Sequence, residues 1–145
     1  MNPESQITGV AIYLLGHGPY RSPRPIELQF LRINRYRHLL GSKYGWWKPV
    51  PDRLFVDINY PRALGTWDPE AFPSFYRLLE AVQVGQVNHV FFDVESKHIQ
   101  LRDDYSWIPY LLKKNGAQPL NVFYDPDNIF QEQLDERFGG ASAKV

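Results

Sequence analysis

Short apolar runs alternate along the chain with segments that are apolar on one side only. The runs predict β-strands at residues 8–15, 54–58, 89–93 and 120–124. The segments between them have apolar residues at helical spacing, which predicts helices at 25–41, 73–85 and 107–115 and a last helix capped by Asp127. Strands that alternate with helices through right-handed crossovers predict an α/β fold. The expected domain has three layers, with helices on both faces of a mainly parallel four-stranded sheet.

The first predicted helix has a polar residue on its apolar side. Its apolar residues fall within an arc of about 140° and are Ile26, Ile33, Tyr36, Leu39 and Leu40. Gln29 lies in the middle of this arc. Because a buried amide needs hydrogen-bond partners, either Gln29 satisfies backbone groups of a nearby loop, or the helix face around it opens on a polar site.

Two other helices show a stripe of the same kind. The second helix carries Phe72, Phe75, Tyr76, Leu79 and Val82 within about 120°, and the last helix carries Phe130, Leu134 and Phe138 at every fourth position. Proline and glycine set the helix ends. Pro73 suits a first turn, Gly85 ends the second helix, and Asn115-Gly116 closes the third.

The carboxyl ends of the predicted strands carry polar residues. They are His17, Asp57, Asp93 with Glu95, and Asp125. Ligands of open α/β sheets bind at this edge, so one interpretation is an enzyme whose histidine and carboxylates hold Mg²⁺ and a phosphate. The other is structural, because aspartate at the end of a strand often forms a turn or caps a helix. Gly16 and Gly18 match neither glycine-rich nucleotide-binding motif.

Composition narrows the class of protein. A length of 145 residues with 43% hydrophobic residues fits one domain, expected at 1–138 and followed by a frayed tail at 139–145. The absence of cysteine excludes disulfides, a thiol nucleophile and thiolate-bound zinc, and the four histidines are scattered, so no metal or cofactor is expected. No apolar run is long enough to span a membrane and the start lacks a basic leader, so a cytoplasmic location is expected.

Charge is balanced overall but unevenly distributed. Sixteen basic and sixteen acidic side chains cancel, yet residues 1–65 carry nine of the basic and four of the acidic ones. The loop and the first helix contain Arg21, Arg24, Arg32, Arg35 and Arg37. These arginines are either a patch for weak, non-specific contact with DNA phosphates or a solvated helix face.

Several strings occur along nearly the whole chain in an order found in a known family. They are residues 75–93, Lys114–Gly116, Ile12–Tyr13 and Ile26–Gln29. Together they resemble the N-terminal catalytic domain of resolvase/invertase-type serine recombinases. The resemblance implies that Gln29 lies near the active site and that Asp57 is the acidic residue closing the second strand. Asp68-Pro69 stands where the family usually has Arg-Pro.

The catalytic residues of that family are replaced. Its Tyr-x-Arg-x-Ser pattern aligns with residues 13–17, so Leu15 stands for the arginine and His17 for the nucleophilic serine. Its Asp-Arg-x-x-Arg pattern aligns with residues 95–99 or 96–100, and neither register restores two arginines. Phosphoryl transfer through a serine ester needs the hydroxyl and the guanidinium groups, so recombinase activity is not expected.

The sequence therefore favours a catalytically inactive domain similar to serine recombinases. We expect it to act as a binding or assembly module, with a protein partner or a second copy, in DNA recombination or mobile elements. No helix-turn-helix follows Phe138, so sequence-specific DNA binding is not expected. One alternative is an enzyme that processes phosphate esters with His17, Asp57 and Asp93, and another is a regulatory domain that binds a small molecule at the same strand ends. A large exposed apolar patch elsewhere would favour assembly.

Overall fold

Helices alternate with strands in the described part of the chain. The computed structural model describes residues 9–17, 25–44, 52–59, 72–94, 105, 107–126 and 128–137. The strands are β1 (Val10–His17), β2 (Asp52–Asn59), β3 (His89–Phe92) and β4 (Gln118–Asn121). The α-helices are α1 (Ile26–Tyr44), α2 (Pro73–Gln83), α3 (Trp107–Lys114) and α4 (Ile129–Arg137), and a 3₁₀ turn covers Val122–Tyr124. None of the helices within these ranges is long and apolar enough to cross a lipid bilayer.

All four strands are parallel and lie in the order β2-β1-β3-β4. β1 pairs with β2 over eight residues, from Val10 opposite Asp52 to His17 opposite Asn59. Its ladder with β3 covers only Val10–Ile12. The β1–β2 pair therefore extends beyond β3 and β4 at the carboxyl end of the sheet. Beyond Ile12 the buried backbone groups of β1 on the β3 side therefore need partners other than a strand.

Both faces of the sheet are covered by helices. On one face Ala11, Tyr13 and Leu15 belong to an apolar cluster with residues of α2 and α3. On the other face Val10, Ile12 and Leu14 belong to a second cluster, with residues of α1 and α4. A strand that is buried on both faces has to be apolar at every position, which explains the unbroken run of β1. The prediction of a three-layer α/β fold is confirmed.

Glycine ends two helices as predicted. Gly85 follows α2 with φ +82° and Gly116 follows α3 with φ +102°, a conformation that costs other residues energy. The N–H groups of Gln86 and Ala117 close the ends by donating to the carbonyls of Ala81 and Leu112. The positions of these ends follow from local sequence alone.

The fourth strand and the last helix differ from prediction. The strand lies at Gln118–Asn121 rather than 120–124, because the Asn121 side chain accepts the N–H of Phe123 and turns the chain. In α4 the predicted core residue Leu134 is 47% exposed. Phe130 alone of that stripe is half-buried against α1, while Phe138 and the expected cap Asp127 lie outside the described residues.

The buried stripe of α2 also differs from prediction. Tyr76 is 46% exposed, whereas Leu78 and Ala81 are buried. The buried arc is rotated towards Ser74, whose N–H donates to Asp57 of β2, and away from Tyr76. Periodicity along one helix does not show how the helix is rotated over the sheet.

We predict that Gly9→Ala destabilises the fold by about 1–3 kcal/mol, the usual cost of overpacking. Gly9 is buried just before β1, and a Cβ there would collide with the carbonyl oxygen of Gln86, a backbone atom. Gly16→Ala is the control, because its Cβ would meet the flexible ends of Ile58 and Ile26 at 2.5 and 2.8 Å. Urea unfolding of both variants is the measurement. Equal losses would contradict this account of Gly9.

Candidate functional site

Asp57 connects three elements at the carboxyl end of the sheet. It lies near the end of β2, is 4% exposed, and accepts three hydrogen bonds. The Tyr13 hydroxyl of β1 donates to Oδ2 at 2.9 Å. The N–H groups of Ser74 and Phe75 donate to Oδ1 and Oδ2, each at 2.9 Å. The carboxylate therefore caps the first turn of α2 from a distant part of the chain.

The sequence around α2 explains why this cap is needed. The residue that precedes the helix is Phe72, which has no side-chain acceptor, and Pro73 has no N–H to donate. The next two N–H groups are buried and require an acceptor, which Asp57 supplies together with a negative charge at the positive end of the helix. Asp57 thus has the structural role that the sequence left open, that of a helix cap.

The second partner of Asp57 is a buried tyrosine. Burial raises the pKa of Tyr13 well above 10.0, and the neighbouring Asp57 charge and hydrogen bond raise it further. The Tyr13 ring packs edge-on against Phe75, with ring centroids 5.0 Å apart. Tyr13 is consequently a neutral donor at physiological pH.

Gln29 pairs with the backbone of β1 beyond the end of its ladder with β3. Its Nε2 donates to the Leu15 carbonyl at 2.8 Å, and its Oε1 accepts the Leu15 N–H at 3.1 Å. Leu15 lies past the last residue of β1 that pairs with β3, so the amide occupies the place of a strand partner. The first of the two expectations for Gln29 is therefore closer to the structure, although the satisfied backbone belongs to a strand and not to a loop.

Asn121 does the same for β3. Its Nδ2 donates to the Val94 carbonyl at 2.7 Å, and its Oδ1 accepts the Val94 N–H at 3.2 Å. Asp125, at φ +48°, then caps α4 by accepting the N–H groups of Phe130 and Gln131. Sequence analysis did not identify Asn121. The available signal was an asparagine inside a supposed strand, where asparagine is uncommon.

Asp93 forms an ion pair with α1. It is fully buried at the end of β3, and the Arg32 Nε lies 3.0 Å from its Oδ2. The Arg32 guanidinium carbon also lies 5.0 Å from the centroid of the Phe130 ring of α4. The sequence left Arg32 open between a patch for DNA phosphates and a solvated helix face, and the structure shows it 27% exposed and joining three elements. Ion pairs as buried as this one serve mainly to fix an arrangement.

The remaining predicted site residues lie at the surface, in the core or outside the described residues. Arg35 is exposed on α1, and Arg37 is half-buried and donates to Asn34 Oδ1 at 2.8 Å. Leu15 is fully buried. The backbone of His17 ends β1, but its side chain lies outside the described residues, as do Glu95, Arg21 and Arg24.

The arrangement is better suited to holding the fold together than to catalysis. Each of Asp57, Asp93 and Asp125 makes hydrogen bonds to groups of the chain itself. Within the described ranges there is no group of three or more His, Asp or Glu side chains that could hold a metal ion. The structure does not bring these carboxylates together. Asp57 bonds to Tyr13 and α2 on one face of the sheet, whereas Asp93 bonds to Arg32 of α1 on the other face.

Comparisons with known proteins add little to this geometry. No family model and no curated protein matches the chain. Among solved structures, the chain is similar to the N-terminal catalytic domain of TP901-1 integrase, with a TM-score of 0.48 and 18% identity. The match covers 88% of this chain and 98% of that one. No residue takes a role from a likeness of this size.

We predict that Gln29→Glu destabilises the protein by about 2–4 kcal/mol near neutral pH, because a carboxylate cannot donate to the Leu15 carbonyl. Burial would raise the pKa of the new carboxyl, and its protonated form regains a donor. The loss relative to the wild type should therefore shrink as the pH falls from neutral towards about 4, the ordinary pKa of an unfolded glutamate, and stay constant below it. Leu31→Glu, at a position that is 65% exposed on the same helix, is the control. Denaturant unfolding across pH measures both, and a pH-independent loss would contradict the amide's donor role.

The Tyr13–Asp57 bond predicts a stability difference that depends on pH. Tyr13→Phe should cost about 1–2 kcal/mol at neutral pH through loss of one hydrogen bond to a charged group. Since the pKa of Tyr13 is raised in the folded state, the wild type loses stability as the pH rises above about 10, where the unfolded tyrosine ionises. The gap between the two proteins should then narrow. Tyr110→Phe, at a position that is 62% exposed, should show no such change in unfolding experiments.

Proposed function

We propose that the chain is a noncatalytic α/β domain of the serine-recombinase type that acts as a binding or assembly module in DNA recombination or mobile-element biology. The observation that carries the proposal is the inward engagement of the strand-end carboxylates Asp57 and Asp93. In the part of the chain that is described, the carboxylates at the carboxyl end of the sheet, where an active site would lie, bond to other groups of the chain instead.

Leu15 supports the noncatalytic part of the proposal. The family resemblance puts an arginine at this position, where its charge would stabilise a phosphoryl transition state. Leu15 is fully buried in an apolar cluster, and its main chain is held by Gln29. An arginine at this position would place a charge in an apolar environment, which is costly without a partner. The core is thus built around an apolar residue.

The engagement of Asp57 weighs against the alternative of a phosphate esterase. A general base has to present a free lone pair to the proton it removes, within hydrogen-bond reach. The Asp57 oxygens are directed at Tyr13 and the start of α2, and the carboxylate is 4% exposed. Recruiting it for catalysis would uncap the helix.

The apolar surface of β2 supports the assembly part of the proposal. Leu54, Val56 and Ile58 are 54%, 37% and 47% exposed, and they alternate along one strand. Contiguous exposed apolar side chains mark interaction sites more often than isolated ones do. This patch lies on the strand that is farthest from β3 and β4, at the side of the sheet.

Contact with DNA would be secondary in this proposal. The chain has a net charge of zero, and Arg32 of the expected basic patch is engaged with Asp93. Arg35 is exposed on α1. Phosphate contacts from such a surface are weak, salt-dependent and independent of sequence.

We predict no covalent protein–DNA adduct with suicide duplexes that trap serine recombinases, at a detection limit of about one thousandth of an active enzyme. Losing a single stabilising donor already costs ~10²–10³ in rate, and both the serine and the arginine are replaced. The measurement is a denaturing gel of the mixed protein and DNA, with an active serine recombinase as the positive control. A trapped adduct would contradict the noncatalytic assignment.

An aryl phosphodiester tests the esterase alternative in the same preparation. We expect no hydrolysis above background and no difference between the wild type and His17→Ala. A rate that falls in His17→Ala would favour the enzyme.

A further inference from the structure

The outer edge of β2 has no hydrogen-bond partner among the described residues. β2 is the terminal strand of the sheet, and with the other described residues the backbone of 52–59 forms only its ladder with β1. An unpaired edge eight residues long is a template for another strand. Such edges are commonly protected by lysine, proline or a bulge. The central residues of this edge, 54–58, contain neither lysine nor proline, and their register with β1 has no bulge.

The bonds of Leu15 identify which backbone groups point outward. The N–H and C=O of Leu15 both bond to Gln29, so they point away from β2. In a parallel ladder only one residue of a facing pair bonds to the other strand, so its partner Asp57 directs its backbone groups to β1. Backbone direction alternates along a strand. Leu54, Val56 and Ile58 therefore direct their N–H and C=O groups to the open edge.

The same three residues expose their side chains. Their side chains lie on the face that α1 covers over β1 and β3, but α1 covers β2 only in part, which leaves them 37–54% exposed.

We propose that this edge pairs with the β2 strand of a second copy of the chain, antiparallel, about a two-fold axis at Val56. The proposal rests on the proposed assembly function and names its partner and surface. Val56 then faces Val56 of the partner subunit, and Leu54 faces Ile58 of the partner subunit. Both sheets join into one sheet of eight strands, a closed and self-complementary arrangement.

The register is fixed by the outward-pointing residues. In an antiparallel pair, residues that face each other and exchange two hydrogen bonds must both point to the shared edge. A two-fold axis at Val56 satisfies this requirement for all three residues at once. It also sets branched apolar side chains directly opposite each other, the pairing that stabilises sheets. An axis shifted by one residue would pair inward-pointing groups and form no ladder.

Charge is compatible with this dimer. Asp57 is the only charged residue between positions 54 and 58, and its charge is turned inward to α2 and Tyr13. Like charges therefore do not face each other at the centre of the strand pair.

The exposed area limits the strength of the dimer. The three β2 side chains expose roughly 250 Å² in total, and a stable interface buries about 800 Å² per partner. Even with the backbone edge, the interface stays in the range of weak complexes. The expected dissociation constant is therefore above about 10 μM. Covalent capture is a more sensitive test of such a dimer than its mass in dilute solution.

Single cysteines test the register without interference, because the chain has no native cysteine. Facing residues of a hydrogen-bonded antiparallel pair have Cα atoms about 5.5 Å apart, within the range of a disulfide. Val56→Cys should therefore oxidise to a covalent dimer. Leu54→Cys lies roughly 14 Å from its own copy and should oxidise at least about tenfold more slowly. A mixture of Leu54→Cys with Ile58→Cys should give the mixed dimer.

Lysine variants test the same surface at equilibrium. Val56→Lys places two like charges together at the axis and should raise the dissociation constant at least about tenfold in sedimentation experiments. Leu31→Lys, on the 65% exposed outward side of α1, should leave it unchanged. Circular dichroism of each variant verifies that the chain is folded.

The pairing is overturned if the three single cysteine variants cross-link at equal rates, or if none cross-links at a concentration of about 100 μM. It is also overturned if a peptide of alternating threonine and valine with a central cysteine captures Val56→Cys faster than a second copy does, which would assign the edge to a heterologous strand. These outcomes leave the adduct test untouched. A covalent DNA adduct would instead refute the proposed function, whatever the cysteines show.

Discussion

Buried main-chain groups have to be paired, and this requirement shapes the carboxyl end of the sheet. β1 continues past the end of its ladder with β3, so its N–H and C=O groups at Leu15 are buried without a strand beside them. Gln29 supplies both partners, and Asn121 does the same for Val94. In each case a carboxamide replaces one residue of a missing strand. The position of α1 over the sheet depends on the first of these contacts.

The carboxylates of the same region serve the helices. Asp57 caps α2, Asp125 caps α4, and Asp93 holds Arg32 of α1. A carboxylate that neutralises the start of a helix stabilises it only while it stays there, so the same group is not available to a substrate. The carboxyl end of the sheet, where α/β folds commonly bind ligands, is used here to join the layers. This is the physical basis for the noncatalytic role that we propose for the described part of the chain.

At the outer edge of β2, by contrast, polar groups are not paired within the described part of the chain. β2 leaves backbone groups and apolar side chains outside, where a free edge attracts other strands. Inward engagement of Asp57 removes the charge that would otherwise repel a partner strand. One residue thus stabilises the interior and leaves the edge open to association. The strand ends thus hold the layers together, and the outer edge of β2 is the part of the sheet left open to a partner.

The sequence by itself determined the features that depend on neighbouring residues. The first three strands, the helix ends at Gly85 and Gly116, and the burial of Gln29 follow from local periodicity and backbone preference. The replacement of an arginine by Leu15 can also be seen in the sequence once the family resemblance is stated.

Only the tertiary structure decided which groups meet. The bond between Tyr13 and Asp57 joins residues that are 44 positions apart, and Arg32 and Asp93 are separated by 61. Tyr76 is exposed because α2 turns Leu78 and Ala81 towards the core. No local pattern encodes such contacts, because strand order and helix position result from packing the whole chain. A polar residue at a buried position therefore predicts that a hydrogen-bond partner is needed, but only the folded structure determines which group that partner is.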